Sequence, residues 1–290
     1  MPSRAVSGEI HLGDNLPLLS AMPSGSCNLI YIDPPFNTQK TQRRERIAVT
    51  RDDSGTRGGF GSARYSVKKI DSPKYADSFD DFCGFMQPRL QEAHRLLAED
   101  GSFFLHIDYR EAHYMKVMLD GIFGRESFLN EIIWAYDYGG KPRNRWPAKH
   151  DTLLWYAKDP AHYTFNYDAI DRIPYMAPDL VGPEKAARGK IPTDVWWMTI
   201  VPTNSKEKTG YPTQKPIKLL NRIIAVHSRP GDTVLDFFAG SGTTGEAAAR
   251  AQRKFILVDS SAAATRLMAK RLAFASPKLF GFAAKQESHA

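Results

Sequence analysis

Cysteine is scarce in this sequence, with only two among 290 residues, and metal-ligand spacings and long apolar runs are missing altogether. Cys27 and Cys83 lie far apart, which predicts two reduced thiols rather than a disulfide framework. The eight histidines have no cysteine at metal-binding spacing, so we expect no metal. No apolar run approaches the roughly 20 residues that span a bilayer, and the N-terminal stretch lacks the apolar core of a signal peptide. These absences predict a cytoplasmic protein without a membrane segment.

Acidic residues are too few to balance the basic ones. The chain carries 39 Lys and Arg against 32 Asp and Glu, a net charge of +7. Most of the excess lies in residues 40–70, where nine basic and three acidic residues give a local charge of +6. A second basic patch, residues 139–149, has four basic residues and a tryptophan but no acid. Localised positive charge favours binding to a nucleic-acid backbone, and a solvated surface loop is the alternative for each patch.

Apolar strands and helical periodicities alternate along the chain, and this alternation predicts an α/β fold with a doubly wound, mostly parallel sheet. Strands are predicted at residues 9–14, 27–33, 101–108, 130–137, 152–158, 232–238 and 254–259. Helices are predicted at residues 77–101, 110–124, 216–229, 240–252 and 261–275, the first of them capped by Asp77 or Ser78 and stopped at Gly101.

Two segments interrupt this alternation. Residues 39–74 are polar, basic and glycine-rich, which predicts a mobile loop. Residues 138–206 replace the alternation with prolines, aromatics and short pieces, which predicts an inserted module with Trp196 and Trp197 in its core. The organisation implied is a first half of the α/β domain at 1–137, the module at 138–206, a second half at 207–276 and a C-terminal tail at 277–290.

The stretch VLDFFAGSGTTGEAA contains a G-x-G-x-x-G turn between a predicted strand and a predicted helix. Asp259 ends the next predicted strand, where an acid binds ribose hydroxyls in nucleotide sites. A nicotinamide dinucleotide is therefore one candidate ligand, and an NAD-dependent oxidoreductase one candidate function. Asp236 argues against it, because a carboxylate before the turn repels a pyrophosphate and suits a cationic ligand such as S-adenosylmethionine.

Seven stretches follow one another in a characteristic order: GDN (13–15), DPPFNT (33–38), GSFFLHID (101–108), NEIIWAYDYGG (130–140), KHDTLLWYAK (149–158), YPTQKPIKLL (211–220) and VLDFFAGSGTT (234–244). In this order the chain resembles the β group of DNA adenine-N6 methyltransferases over nearly its full length. The resemblance implies a Rossmann-like methyltransferase fold, circularly permuted, with an inserted target-recognition module. It also implies S-adenosylmethionine as the cofactor, S-adenosylhomocysteine as the product, and no metal.

The DPPF stretch carries the chemistry that this resemblance implies. An exocyclic amine is a poor nucleophile because its lone pair is delocalised into the ring, and two hydrogen-bond acceptors help its nitrogen to become sp³. Asp33 is one acceptor and the carbonyl of Pro34, by resemblance, is the other. Pro35 stiffens the turn, and Phe36 offers a face for a base that has left the duplex. The acid favours adenine N6, since cytosine-N4 relatives usually carry serine there; cytosine-N4 methylation is the alternative.

Cofactor-binding residues are carried over from the resemblance by position. They are Asp14, Asp33, Pro34, Lys215, Pro216, Asp236, Phe238, Ala239, Gly240, Gly242, Thr243, Thr244 and Asp259. Asp14 is otherwise a turn-capping aspartate, and Lys215 a surface lysine at the start of a helix. The whole interpretation requires strand 28–33 to end beside strand 232–238.

The two basic segments are the predicted contacts with double-stranded DNA, and the one after the catalytic turn is predicted to be mobile without DNA. The residues are Lys40, Arg43, Arg44, Lys141, Arg143, Arg145 and Lys149. The resemblance is compatible with a bacterial-type, nucleoid-associated enzyme, with a cognate restriction endonuclease and with a homodimer. A catalytically silent DNA-binding relative, or a methyltransferase acting on RNA or on protein glutamine, stays an alternative.

Overall fold

The computed structural model describes residues 7–36, 40–43, 46–51, 57–58, 64–70, 74–77, 79 and 81–282. The strands in this part of the chain are β1 (Gly8–Leu12), β2 (Cys27–Ile32), β3 (Lys40–Arg43), β4 (Arg46–Arg51), β5 (Arg57–Gly58), β6 (Arg64–Ile70), β7 (Lys74–Asp77), β8 (Leu97–Ile107), β9 (Phe128–Ala135), β10 (His150–Ala157), β11 (Val195–Trp197), β12 (Thr233–Asp236), β13 (Lys254–Asp259) and β14 (Lys278–Phe280). The α-helices are α1 (Asn15–Ala21), α2 (Phe82–Leu96), α3 (Ala112–Phe123), α4 (Pro183–Arg188), α5 (Ile217–His227), α6 (Thr243–Arg250) and α7 (Ala262–Arg271).

Among the described strands, nine form one sheet in the order β11-β9-β10-β8-β2-β12-β13-β1-β14. β10 runs antiparallel to both of its neighbours, and the other neighbouring strands run parallel. The mostly parallel α/β sheet predicted from the sequence is confirmed. None of the helices in the described ranges is both long and apolar enough to cross a membrane.

Helices cover both faces of this sheet, as a doubly wound fold requires. In β2, Leu29 and Tyr31 pack into the cluster that holds the apolar side chains of α5, α6 and α7. Ile30 and Ile32 point the other way, into the cluster formed with α1, α2 and α3. The strand is therefore buried on both faces, which explains why it reads as a continuous apolar run.

The boundaries of the first helices differ from the prediction. α1 was not predicted; it begins after Asp14, whose carboxylate accepts the amide of Leu16, and its proline lies in the first turn, where no amide is needed. The cap of α2 is Asp81, which accepts the amide of Gly84 at 2.7 Å, rather than Asp77 or Ser78. Gly101 does not stop this helix, because α2 ends at Leu96 and the chain passes directly into β8.

The segment predicted as a mobile loop, residues 39–74, contains paired strands in the part that the structure describes, and its mobility stays a prediction. β3 pairs with β7, and β4 and β5 pair with β6, all antiparallel. Cross-strand pairing is not visible in a single polar segment, which is why the pattern did not reveal it. Arg44 and residues 37–39 lie outside the described residues.

Both the inserted module and the tail contribute edge strands to the main sheet. β11 lies parallel to β9, so the WW stretch belongs to the sheet; Trp196 is buried as predicted, but Trp197 is 72% exposed. β14 pairs with β1 at the opposite edge. An alternating strand at a sheet edge exposes every second side chain, so only one of two adjacent tryptophans enters the core. The segments predicted as a module, 138–206, and as a tail, 277–290, therefore each add one strand to the main sheet.

Candidate active site

Four neighbouring strands end at one cavity of about 480 Å³. β2 is followed by Asp33, β12 ends at Asp236, β13 ends at Asp259, and β1 is followed by Gly13 and Asp14; all of these residues line the cavity. The carboxyl edge of a parallel sheet is where ligands bind in this class of fold. The required proximity is confirmed: β2 pairs with β12, and Asp33 and Gly240 line the same cavity.

The catalytic turn predicted from DPPF lines the cavity with all four of its residues. They are Asp33, Pro34, Pro35 and Phe36. Lys215 joins them, because its Nζ lies 2.7 Å from both carboxylate oxygens of Asp33 and 4.7 Å from the centroid of the Phe36 ring. Lys215 was predicted to line the cofactor pocket, and it does line this cavity. Its ion pair with the catalytic carboxylate was not foreseen, since the two residues are 182 positions apart.

Asp236 is a buried carboxylate, 2% exposed, at the end of β12. Burial raises its pKa to about 7; the Thr244 hydroxyl at 2.6 Å and the Phe238 amide at 3.0 Å oppose this rise. The charges of Asp33 and Asp259 raise it further. A cation in the cavity would favour the ionised form of Asp236.

Asp259 holds the backbone of two turns together. One carboxylate oxygen accepts the amide of Gly240 at 2.9 Å and the other accepts the amide of Ser261 at 2.8 Å. Burial raises its pKa, and these two amides oppose the rise. A carboxylate oxygen has a second lone pair, so the ribose contact expected of Asp259 is compatible with this bonding.

The two glycines of the turn have different tasks. Gly240 has φ +50°, and a Cβ there would lie 3.1 Å from the Tyr211 ring, at the wall of the cavity. Gly242 has φ +74°, but it does not line the cavity; its Cβ would lie 2.8 Å from Cγ of Met268 in α7. Its missing side chain therefore makes room for helix packing, and its contact with the cofactor stays a prediction. Phe238, Ala239, Thr243 and Thr244 line the cavity as expected.

Asp14 lines the cavity and also has the capping role that the sequence offered as its alternative, whereas Pro216 lies outside the cavity lining. Asp14 caps α1 and accepts from Nη2 of Arg89 at 2.9 Å, although it also lines the cavity. Pro216 is buried as the residue before the first turn of α5, and it does not line the cavity. Arg89 was missed; it lies on the apolar face of α2, where an arginine among Met86 and Leu90 is the available signal.

A buried polar chain behind Phe36 was also missed. Tyr31 bonds to Nδ1 of His106 at 2.8 Å, and Nε2 of His106 bonds to Asp151 at 3.0 Å. Tyr136 donates to the other oxygen of Asp151 at 3.0 Å. The His106 ring stacks on Phe36 with centroids 6.0 Å apart. The sequence signal for these hydrogen-bonded residues is the presence of polar residues within the apolar strands LHID and KHDTLL. The His106 ring packs against Phe36 and so supports the catalytic turn from behind.

The predicted DNA contacts lie in the loop after β9 and in the segment that contains β3. Lys141, Arg143 and Arg145 are exposed beside Trp146, which is 94% exposed. Lys149 differs, since its Nζ donates to the carbonyls of Tyr138 and Gly139 and so supports the loop. Lys40 and Arg43 lie in β3. In the described ranges no group of three or more His, Cys, Asp or Glu is arranged to hold a metal ion.

The sheet and the cavity at its carboxyl edge define an α/β protein of the class that binds adenosine-containing ligands beside a glycine turn. The sequence profile described as DNA methylase matches residues 27–270, and the chain belongs to this family. This membership leaves the nicotinamide oxidoreductase alternative without support.

Individual relatives agree with this membership. The chain is 29% identical over 277 residues to the DNA adenine methyltransferase YhdJ of Escherichia coli (strain K12), covering 91% of this chain and 82% of YhdJ. The M1.HpyAVI–SAM complex matches with TM-score 0.58 and 21% identity, covering 91% of this chain and 98% of the other. The cytosine-N4-specific PvuII DNA methyltransferase matches with TM-score 0.64 and 17% identity, covering 94% of each chain. These two structures show the fold, and the fold does not distinguish the target base.

Proposed function

We propose that this DNA methylase transfers a methyl group from S-adenosylmethionine to N6 of adenine in double-stranded DNA. The observation that carries the proposal is the single cavity that joins the DPPF turn to the glycine turn. The similarity to an adenine methyltransferase supports it. So does the acid at residue 33, since by resemblance the cytosine-N4 relatives have serine at this place.

The cavity fits a cationic ligand that contains adenosine and no phosphate. Asp33, Asp236 and Asp259 line it, and Asp236 is fully buried. The carboxylates beside the glycine turn oppose a pyrophosphate and favour a cation. At Gly240 a side chain would narrow the cavity against Tyr211, so the glycine keeps space for a ligand beside the backbone. We assign the cofactor to the glycine turn with Asp236 and Asp259; when bound, S-adenosylmethionine supplies the electrophilic methyl group.

Asp33 and Pro34 act on the acceptor nitrogen. The Asp33 carboxylate accepts one N–H of the adenine amino group and the Pro34 carbonyl accepts the other, which favours an sp³ nitrogen with a localised lone pair. The amino group is too weak an acid to be deprotonated before attack; as the N–CH3 bond forms and the S–CH3 bond breaks, S-adenosylhomocysteine leaves and the cationic nitrogen gives up a proton to the Asp33 carboxylate. The turn is held in place by its two prolines and, behind Phe36, by His106. Rate enhancement comes mainly from holding the two reacting groups together.

The target base must leave the duplex to reach Asp33, at a cost of a few kcal/mol. Phe36 lines the cavity and offers an aromatic face for the extruded base. We assign DNA binding to the basic segments, with Arg143 and Arg145 as contacts to phosphates or guanine edges.

Single-molecule sequencing of DNA from cells that express the protein tests the proposal directly. We expect N6-methyladenine at one short sequence motif, and no such signal from the Asp33→Ala variant. N4-methylcytosine at the motif would establish the cytosine alternative. Transfer of labelled methyl groups to RNA or protein but not to duplex DNA would overturn the substrate assignment.

The proposal also includes two protein partners, a restriction endonuclease and a second copy of this chain. A cognate restriction endonuclease is tested by asking whether cells lose viability when the methyltransferase gene alone is deleted. A homodimer is tested by analytical ultracentrifugation with and without DNA.

A further inference from the structure

Lys215 contacts both groups that the proposed reaction needs on the base side. Its ammonium bonds to both oxygens of Asp33, at 2.7 Å each. The same ammonium lies 4.7 Å from the centre of the Phe36 ring. Lys215 is 9% exposed, so water does little to weaken these contacts.

We propose that Lys215 occupies the place of the target amino group and competes with the extruded base for Asp33 and Phe36. This inference rests on the proposed function. Each oxygen of Asp33 has a second lone pair, so the competition is for space: the ammonium lies against both oxygens and over the face of Phe36. Base entry therefore requires Lys215 to leave the face of Phe36 and to give up its contact with both oxygens at once.

The main chain of Lys215 is fixed, so the release is a movement of its side chain. Its carbonyl accepts the hydroxyl of Thr243 at 3.2 Å. That hydroxyl also accepts from Nη1 of Arg271 at 2.9 Å, which ties it to α7. The flexible four-carbon stem of lysine permits such a movement while the backbone stays with the glycine turn.

A second carboxylate limits the cost of the movement. Asp151 is buried, and burial would raise its pKa; the bond from His106 and the charges of His106 and Lys215 hold it below the ordinary value. The charge of Asp151 therefore acts on Lys215 in addition to the charge of Asp33, which lowers the cost of breaking the contact with Asp33. Two further carboxylates line the same cavity: Asp236, on which the charge of Asp33 acts, and Asp259.

The test places 2-aminopurine next to the target adenine, which keeps its amino group, in a duplex that carries the motif found by sequencing. Its fluorescence rises when the neighbouring adenine leaves the stack. Three variants are compared with the parent in the presence of S-adenosylhomocysteine: Lys215→Met, Lys215→Arg and Lys218→Met. Lys218 is exposed in the first turn of α5 and does not line the cavity. Its replacement by methionine therefore removes the same charge from outside the cavity.

For Lys215→Met we expect the fluorescence to rise by roughly threefold or more, because a charge-assisted bond no longer competes with the base. Its kcat should fall, since Asp33 loses a positioning contact, while its KM for DNA falls as well. Lys215→Arg should give less fluorescence than the parent, because a guanidinium holds both carboxylate oxygens. Lys218→Met should match the parent.

Far-UV circular dichroism and thermal unfolding that match the parent show that the Lys215 variants are folded. Equal or lower fluorescence in a folded Lys215→Met variant overturns the competition. A parent protein that neither methylates adenine nor raises the fluorescence contradicts the proposed function instead, so the two failures are distinguishable.

Discussion

The charged side chains of the cavity have hydrogen-bond partners, whereas most of those in the basic segment at residues 139–149 are exposed to solvent. In the cavity Asp33 is paired with Lys215, Asp236 with Thr244, and Asp259 with backbone amides. In the basic segment Arg143 and Arg145 are exposed to solvent. Cavity charges have hydrogen-bonded partners and act over a hydrogen-bond distance, whereas surface charges act through a field that salt screens.

This difference indicates that the cavity serves the methyl transfer and the basic segment serves DNA binding. Fixed, desolvated groups suit the reaction centre, because they need no reorganisation when charge develops. Exposed guanidinium groups suit a polyanion whose register along the surface changes with sequence. Four measurements sharpen or break the comparison, from the largest expected effect to the smallest.

Asp33→Asn should reduce kcat by about 10³-fold, the scale of losing one preorganised bond at a reaction centre. Asparagine keeps the shape of the side chain but loses the negative charge that accepts the N–H. A labelled-methyl transfer assay at saturating DNA measures the loss. Asp168→Asn, at an exposed position of the inserted module, is the control. Parental kcat in Asp33→Asn would remove this residue from the reaction.

Asp236 should make stability depend on pH. Its folded-state pKa of about 7 lies above the ordinary 3.8, so its contribution is fully present below about pH 4 and is lost as pH rises through 7. The scale is on the order of 1.4 kcal/mol per pKa unit. Urea unfolding of the parent and of Asp236→Asn across pH 4.5–7.5 measures the difference. A constant difference between the two proteins contradicts the raised pKa.

Gly242→Ala should lower the free energy of unfolding by about 2 kcal/mol, because it combines a positive φ with overpacking against Met268. Thermal or urea unfolding measures it. Gly121→Ala is the matched control, since Gly121 is an exposed helical residue whose Cβ would meet nothing within 4 Å; it should be neutral or stabilising. Equal effects of the two substitutions would show that packing between α6 and α7 does not require the glycine.

Arg145→Ala should weaken DNA binding by a few-fold and reduce the salt slope of log Kd by about one. One phosphate contact fewer releases one counterion fewer. Fluorescence anisotropy at several salt concentrations measures both quantities. Arg266→Ala removes the same charge from α7, which packs beside β1 and β13 on the far half of the sheet, and it should leave the slope unchanged. An unchanged slope in Arg145→Ala instead would place the DNA elsewhere.

Local pattern predicted most of the fold, because its cause is local. β13 has the predicted bounds of 254–259, and the strand before the glycine turn and the helix after it are both present. The missed features depend on partners distant in sequence. α1 is a short helix whose cap also binds Arg89. The antiparallel pair of β3 and β7 joins residues more than thirty positions apart.

The site was predicted by residue type and corrected by packing. Asp33, Phe36, Asp236 and Gly240 line the cavity as expected, because they follow or lie at the ends of neighbouring parallel strands. Gly242 and Pro216 lie in the same motifs but serve packing. A motif records which residues occur together and does not record which way each one points.

By itself the sequence determined the alternation of strands and helices, the two motif turns and the location of the basic charge, since each of these depends on neighbours along the chain. The tertiary structure alone decided that Lys215 reaches Asp33, that His106 supports Phe36, and that Asp236 is buried deeply enough to raise its pKa. Those features depend on distances across the sheet and on exclusion of water, and both arise only when distant segments pack together.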